Sequence, residues 1–377
     1  PGITPEFEIS DLMTIATLSH DHGRFRGELK AYYDDGDIDW RQWDADTGNA
    51  FLTLTDWENY GLRLRERLSF AGDGQLELGF DHDSYGGLSR EVRDSGTTSL
   101  VDLRFQNTAL IARVSKPLDA EGRLTPSAGV RYNDSRFFGE DWGTHLGLVY
   151  RTSRGKLYGR YASGFNLPGL WAATFGPPGA WRDLEAEEID HVEVGWSHRV
   201  GSRATLDLAL FRSEVANGLR FLPPPPFPPT FDNVGDYTSE GGEIALSASP
   251  RPGLQLMISA AYNETDPQTI PFSPEWTFSG GVSARLAERW RLHVDAEWVD
   301  ERLAGNPRFP APGERVEAFF LVNGQLVWKL APARPDRGAP GLFLAFENLF
   351  DEDYAFRAGY PMPGTSLMAG IDWRFGS

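Results

Sequence analysis

Trp290-Arg291-Leu292-His293-Val294-Asp295-Ala296-Glu297-Trp298 decides the fold. Apolar residues hold every second place, and ionisable ones fill the gaps. Successive side chains of a β-strand point to opposite faces, so this segment is a strand with one oily and one charged face. The same period runs from Arg24 to Asp34, where Phe25, Gly27, Leu29, Ala31 and Tyr33 alternate with Arg24, Arg26, Glu28 and Lys30. It returns in Tyr60, Leu62, Leu64, Leu68 and Phe70 against Asn59, Arg63, Arg65, Arg67 and Ser69, with Glu66 alone breaking the apolar side. The last such run is Leu367, Ala369, Ile371, Trp373 and Phe375.

Strands of a soluble sandwich also alternate, but they are typically about 5–6 residues long. Runs of 11 to 15 residues, as here, suit strands that cross a bilayer on a tilt and project beyond it. The pattern predicts seventeen strands, near 11–20, 24–34, 56–70, 74–86, 105–116, 122–135, 140–152, 156–166, 187–200, 203–215, 237–249, 253–266, 274–286, 289–301, 315–330, 341–350 and 365–375. Short connections near 71–73, 153–155, 201–202, 250–252 and 287–289 take turns with long ones near 35–55, 87–104, 165–187, 216–236 and 302–314. That rhythm predicts an all-β, transmembrane, antiparallel up-and-down β-barrel, with tight periplasmic turns and long extracellular loops.

Composition agrees. Phe, Trp and Tyr make up 13% of the 377 residues and Gly is frequent at 41, against four Met and no Cys, a balance of strand and turn formers. Mean hydropathy is -0.39, and no apolar run approaches the roughly 18 residues of a transmembrane helix. Pro1 to Ser10 carry no signal-peptide pattern. A net charge of -18 argues against nucleic-acid partners, which reward basic patches.

The segment Glu347-Asn348-Leu349-Phe350-Asp351-Glu352-Asp353-Tyr354 resembles a strand end of the TonB-dependent receptors, and Gly359-Tyr360-Pro361-Met362-Pro363-Gly364 resembles their last outer loop. Upstream, Tyr161-Ala162-Ser163-Gly164-Phe165-Asn166-Leu167-Pro168-Gly169, then Leu184-Glu185-Ala186-Glu187 to Glu193-Val194-Gly195-Trp196, are similar to consecutive strands of that family. Asp232-Asn233-Val234-Gly235 with Ser239-Glu240-Gly241-Gly242-Glu243 fits a third signature. The resemblance covers residues 155–375; Gly376 and Ser377 depart from it by following the terminal aromatic. It implies a bacterial outer-membrane receptor that imports a scarce, bulky nutrient, a ferric siderophore or other metal complex first and cobalamin second. It also implies outer-membrane lipid, a plug, the TonB complex and the barrel-assembly machinery as partners, with Ile371, Trp373 and Phe375 as the assembly signal. Physically, the same signatures are strand ends followed by Pro-restricted loops, which serve loop shape.

No catalytic group stands out among the seven histidines, and neither a metal nor another cofactor is expected. Asp81-His82-Asp83 and His20-Asp21-His22 read as solvated rim residues rather than ligands. The aromatics Trp40, Trp43, Trp171, Phe175, Trp181 and Phe227 fall in the long connections. There they either stack on a flat ligand or metal chelate or form the interfacial girdle. Leu222 to Pro229, with six prolines, reads as a stiff, extended loop. A passive porin of 16–18 strands is the alternative reading and a barrel enzyme the third. Residues 1–377 read as one barrel domain. Because bacterial barrels close with an even number of strands, seventeen points to an N-terminally incomplete barrel of 22, whose plug and first strands lie on a second chain or in a removed part.

Overall fold

The structure, a computed structural model, describes residues 3–44, 50–93, 96–174, 177, 179–222, 230–304, 315–330 and 340–372. In chain order the strands begin with β1 (Ile3–His22), β2 (Phe25–Asp44), β3 (Ala50–Phe70), β4 (Gly74–Arg93), β5 (Gly96–Ser115), β6 (Leu124–Ser135), β7 (Gly139–Thr152) and β8 (Gly155–Asn166). A short helix α1 (Leu170–Thr174) and a 3₁₀ turn (Ala180–Asp183) precede β9 (Glu187–Val200), β10 (Ala204–Ala216), β11 (Leu219–Leu222) and β12 (Thr230–Asn233). Then follow β13 (Tyr237–Arg251), β14 (Leu254–Asp266), β15 (Trp276–Ala287), β16 (Trp290–Val299), β17 (Arg302–Leu303) and β18 (Arg315–Val316). The last are β19 (Phe319–Lys329), β20 (Gly341–Glu347), β21 (Ala355–Arg357), β22 (Tyr360–Pro361) and β23 (Ser366–Asp372). Seventeen of these belong to one large sheet, and the six shortest form three two-stranded ribbons. The seventeen answer one to one to the expected strands.

The chain divides into two compact units, residues 1–148, 160–191 and 215–236, and residues 149–159, 192–214 and 237–377. In the first, β1 to β6 pair antiparallel in sequence order. In the second, β13, β14, β15, β16, β19, β20 and β23 do the same.

Two of the expected long loops are corrected. Residues 35–44, 50–55, 87–93 and 96–104 are strand, because β2 to β5 run on for 20 or 21 residues each. The Asp and Gly content of 35–44 suggests a loop, yet Asp35, Asp37 and Asp39 alternate with Gly36, Ile38 and Trp40, which is strand periodicity. Neighbouring chain supplies the ladder: Asp37 sits opposite Ser10 on β1 and Asp56 on β3.

Register shows how the second unit meets lipid. Across β15, β16 and β19, Phe278, Trp298 and Phe320 lie in one row, while Trp290 lies opposite Trp328 eight residues down β16. Eight residues on a tilted strand rise roughly 20 Å, close to the apolar band of about 25 Å that a membrane barrel presents between aromatic girdles. Val294, Gly324, Phe346 and Leu367 share the middle row. Leu367 is 72% and Ile371 69% exposed, as expected for side chains whose solvent is lipid. No helix among the described residues is long and apolar enough to cross a membrane; the crossing is made by strands.

Candidate functional site

The opposite, polar face of β2 to β6 carries a lattice of ion pairs. Asp81, almost fully buried, accepts from Arg65 Nη1 at 2.5 Å and Nη2 at 3.0 Å, and from Arg131 Nη1 at 2.9 Å. Two residues along, Asp83 accepts from the Tyr32 hydroxyl and lies 3.8 Å from Arg63. Arg67 reaches Glu77 at 2.9 Å, and Asp34 accepts from Trp57 Nε1 and Asn59 Nδ2. The alternation explains it: Arg63, Arg65 and Arg67 on β3 face the odd-numbered acids of β4 across an antiparallel register. Asp81 is therefore not the solvated rim residue that the sequence suggests. His82, between the two acids, points to the other face and contacts Thr108 at 2.9 Å. His20 meets Glu66, the acid that breaks the apolar run of Tyr60 to Phe70, at 3.0 Å. Among the described residues no group of three His, Asp or Glu side chains could hold a metal ion.

At the long-loop end of the first unit, Trp181 is buried in a cluster with Val101, Phe105, Ala172, Ala173 and Leu184. Its ring is edge-on to Phe105 at 5.6 Å and Phe137 at 5.1 Å, and the Arg182 guanidinium lies 4.6 Å from its centroid. Trp181 thus anchors the 3₁₀ turn against the strands. Trp40 stacks on Phe7 at 5.6 Å on paired strands β1 and β2. Trp43 lies in β2 and Trp171 in α1. Phe175, Phe227, Trp373 and Phe375 are outside the described residues, as are 223–229 of the proline-rich segment.

The quoted signatures sit at loop junctions. Asn233 accepts from Glu185 N at 2.9 Å, and its amide donates to Asn217 O at 2.6 Å and Glu185 O at 3.2 Å; Glu187 accepts from Leu219 N. In the second unit Asn348 is buried at a positive φ of 49°, a conformation Asn tolerates. Its amide donates to Glu352 O at 2.9 Å and Pro363 O at 3.3 Å, its side-chain oxygen accepts from Glu352 N at 2.8 Å, and Thr365 Oγ1 donates to its carbonyl. The signature residues hold loops in shape. Beside them Arg302 lies over the Phe319 ring at 5.4 Å and donates to Ala355 O and Phe356 O. Burial draws its guanidinium below the usual arginine range. Sequence reading passed over both Asn348 as a hub and Arg302; buried Asn with φ above zero has no pattern signal beyond its motif.

A seventeen-stranded antiparallel sheet with one lipid-compatible face, one ion-paired face and signature residues at its loop junctions defines an outer-membrane β-barrel. The sequence matches the family described as "TonB dependent receptor-like, beta-barrel" over residues 5–349, and the chain belongs to that family of bacterial outer-membrane proteins. Similar solved structures include the "Copper transporter OprC", at 16% identity and TM-score 0.78, matched over 98% of this chain and 65% of that one. The ferric yersiniabactin uptake receptor FyuA from Yersinia pestis has 15% identity and TM-score 0.73 over 98% of this chain and 60% of its own. The ferric-catecholate import receptor Fiu from E. coli K12 has 15% identity and TM-score 0.70 over 97% and 64%. At such identities the likeness is one of fold, and the chain spans about 65% or less of each of these proteins. No curated protein sequence is significantly similar. The family and the similar structures are receptors and transporters.

Proposed function

We propose that the chain is the barrel of an energised importer of a bulky metal complex, a ferric siderophore first and cobalamin second, captured by the long-loop end and passed through the barrel. The observation that carries this reading is the family match over residues 5–349. The ion-paired polar face supports it, since strands lining a passage keep charges that a lipid face could not hold. Trp40, Trp43, Trp171, Phe175 and Phe227 are the proposed ligand-facing aromatics, with Trp181 anchoring the 3₁₀ turn that follows α1. The plug and the segment that engages TonB would be supplied from outside residues 1–377. A passive porin would share the two faces but would need none of the receptor signatures that Asn233 and Asn348 belong to.

The test is growth of a strain lacking this gene on single iron and cobalamin sources. Loss of growth on one iron source, restored by the gene and not by a variant deleted for 223–229 that still folds, is expected. Growth unchanged on every source, with small hydrophilic solutes leaking through the purified protein, would give the porin reading.

A further inference from the structure

The two ends of the second unit differ in charge. Its four shortest turns and the strand ends beside them, residues 151–156, 199–203, 249–253 and 285–291, hold Arg151, Arg154, Lys156, Arg199, Arg203, Arg251, Arg285, Arg289 and Arg291 against the single acid Glu288. All nine cations are exposed. In a chain with a net charge of -18, such a concentration is not a by-product of composition.

The turns are tied into a continuous rim. Arg199 N donates to Arg154 O at 2.6 Å and its side chain to Ser153 O at 2.6 Å. Ser249 N donates to Arg203 O at 2.7 Å, and the Arg203 side chain to Pro250 O. Arg285 N reaches Gly253 O at 2.6 Å, and Lys329 N reaches Arg289 O at 2.8 Å. These backbone contacts fix the spacing of the strand ends and turns that carry the cations.

Just inside the rim, on the lipid face, lie aromatic pairs: Trp196 stacks on His198 at 5.1 Å, and Trp290 on Trp328 at 5.5 Å. Aromatic girdles mark the depth of the lipid headgroups, so the cations at the turn tips, Arg154, Arg203, Arg251 and Arg289, emerge at the level of the phosphates, whereas Arg285 and Arg291 pair on the face opposite Trp290. Short turns face the periplasm in these barrels, which sets this rim against the inner, phospholipid leaflet. We propose that the basic rim of residues 151–156, 199–203, 249–253 and 285–291 is a docking surface for anionic phospholipid headgroups, recognised as phosphate esters bearing a net negative charge. An acidic soluble protein would also be attracted to cations, but it would gain nothing from the adjoining girdle.

The test uses the receptor in vesicles of phosphatidylcholine with phosphatidylglycerol, one of the two lipids carrying brominated acyl chains that quench the tryptophans beside the rim. Cations near a charged surface each add roughly a few-fold to local anionic lipid, so brominated phosphatidylglycerol should be enriched about three- to tenfold over brominated phosphatidylcholine. The enrichment should shrink in high salt. Joint substitution Arg154→Glu, Arg251→Glu and Arg289→Glu at the turn tips should abolish it, while the matching Lys variants keep it. Folding is checked by heat-modifiable migration on gels. Equal quenching by the two lipids, or enrichment surviving the Glu variants, overturns the proposal. So does binding of soluble polyglutamate with no lipid preference, which would assign the rim to an acidic protein.

Discussion

The two units use the same two-residue alternation for different polar chemistry. In the first, strands of 20 or 21 residues carry full charges on their polar face, arranged as Arg65–Asp81–Arg131, Tyr32–Asp83–Arg63 and Arg67–Glu77. In the second, most strands are 7 to 15 residues, and hydroxyl and amide groups bridge Ser259 to Ser279 at 2.6 Å, Ser239 to Asn263 at 2.6 Å and Asn323 to Asp295 at 3.0 Å, beside the exposed ion pair Arg212–Glu240 at 3.2 Å. At the short turns the contrast reverses. The first unit neutralises its turn charges locally, Arg26 on Asp21 and Arg123 on Asp119 and Glu121, whereas the second leaves a basic rim. A face lined with fixed opposite charges is rigid, and its members cannot be removed singly without leaving an uncompensated partner. Neutral hydroxyl pairs are individually weak and replaceable.

The largest expected effect follows from that difference. Asp81→Ala leaves two guanidinium groups facing each other without their acceptor. Removal of one member of a buried ion pair costs about 3–5 kcal/mol, and since both arginines are about one-third exposed the lower end, about 3 kcal/mol, is expected. Ser259→Ala in the second unit should cost only about 1 kcal/mol. Reversible urea unfolding of the barrel in detergent micelles measures both, and equal losses would erase the contrast.

Depth across the second unit's lipid face comes next. Leu367→Arg, in the row midway between the girdles, should lower stability by about 2–4 kcal/mol, whereas Ile371→Arg should cost no more than about 1 kcal/mol. Ile371 sits opposite Leu342, which is level with Trp328, so it lies at the interface. If the two substitutions cost the same, the band has been placed at the wrong height. The equivalent band of the first unit is interrupted by His20–Glu66 and His82–Thr108.

Loop junctions are third. Asn348→Ala removes a buried amide that satisfies two backbone carbonyls and one backbone N–H, at about 2 kcal/mol. Asn348→Asp, which keeps the acceptor but loses the donor, should lie between. Limited proteolysis of residues 349–365 before global unfolding would show that the loss is local to the loop.

How much of this was legible follows the physics of each signal. Alternation is set by strand geometry alone, so all seventeen strands could be read from Trp290 to Trp298 and its likenesses. Strand ends could not, because beyond the bilayer both faces of β2 to β5 meet polar surroundings and the apolar marker lapses while the ladder continues. Single side chains were harder still. Trp181 reads as an aromatic in a polar loop, and only the fold reveals that Phe105, from a strand some 75 residues earlier, closes over it. Asp81 and His82 adjoin in sequence and part in space, since neighbouring residues of a strand face opposite ways.

The smallest effect concerns a single turn and the pH at which it holds. Asp119 accepts from Leu124 N at 2.8 Å and from Arg123 Nε at 3.2 Å, and chiefly the Leu124 backbone N–H, aided by Arg123, holds its carboxyl below the usual carboxylate range. A carboxyl whose folded pKa is depressed contributes stability that is fully present above its unfolded value, near pH 3.9, and is lost as pH falls through the lower, folded value. Stability of the turn should therefore be flat across neutral pH and decline only below about pH 4. Asp119→Asn, which keeps an oxygen acceptor but no charge, should remove that acid dependence and leave behaviour at pH 7 almost unchanged. The readout is amide hydrogen exchange at Leu124 from pH 3 to pH 6. It is corrected for intrinsic chemistry by the same series on the Asn variant. An acid dependence that persists in Asp119→Asn would place its origin elsewhere, and the comparison with the second unit's arginine-rich turns would then rest on charge count alone.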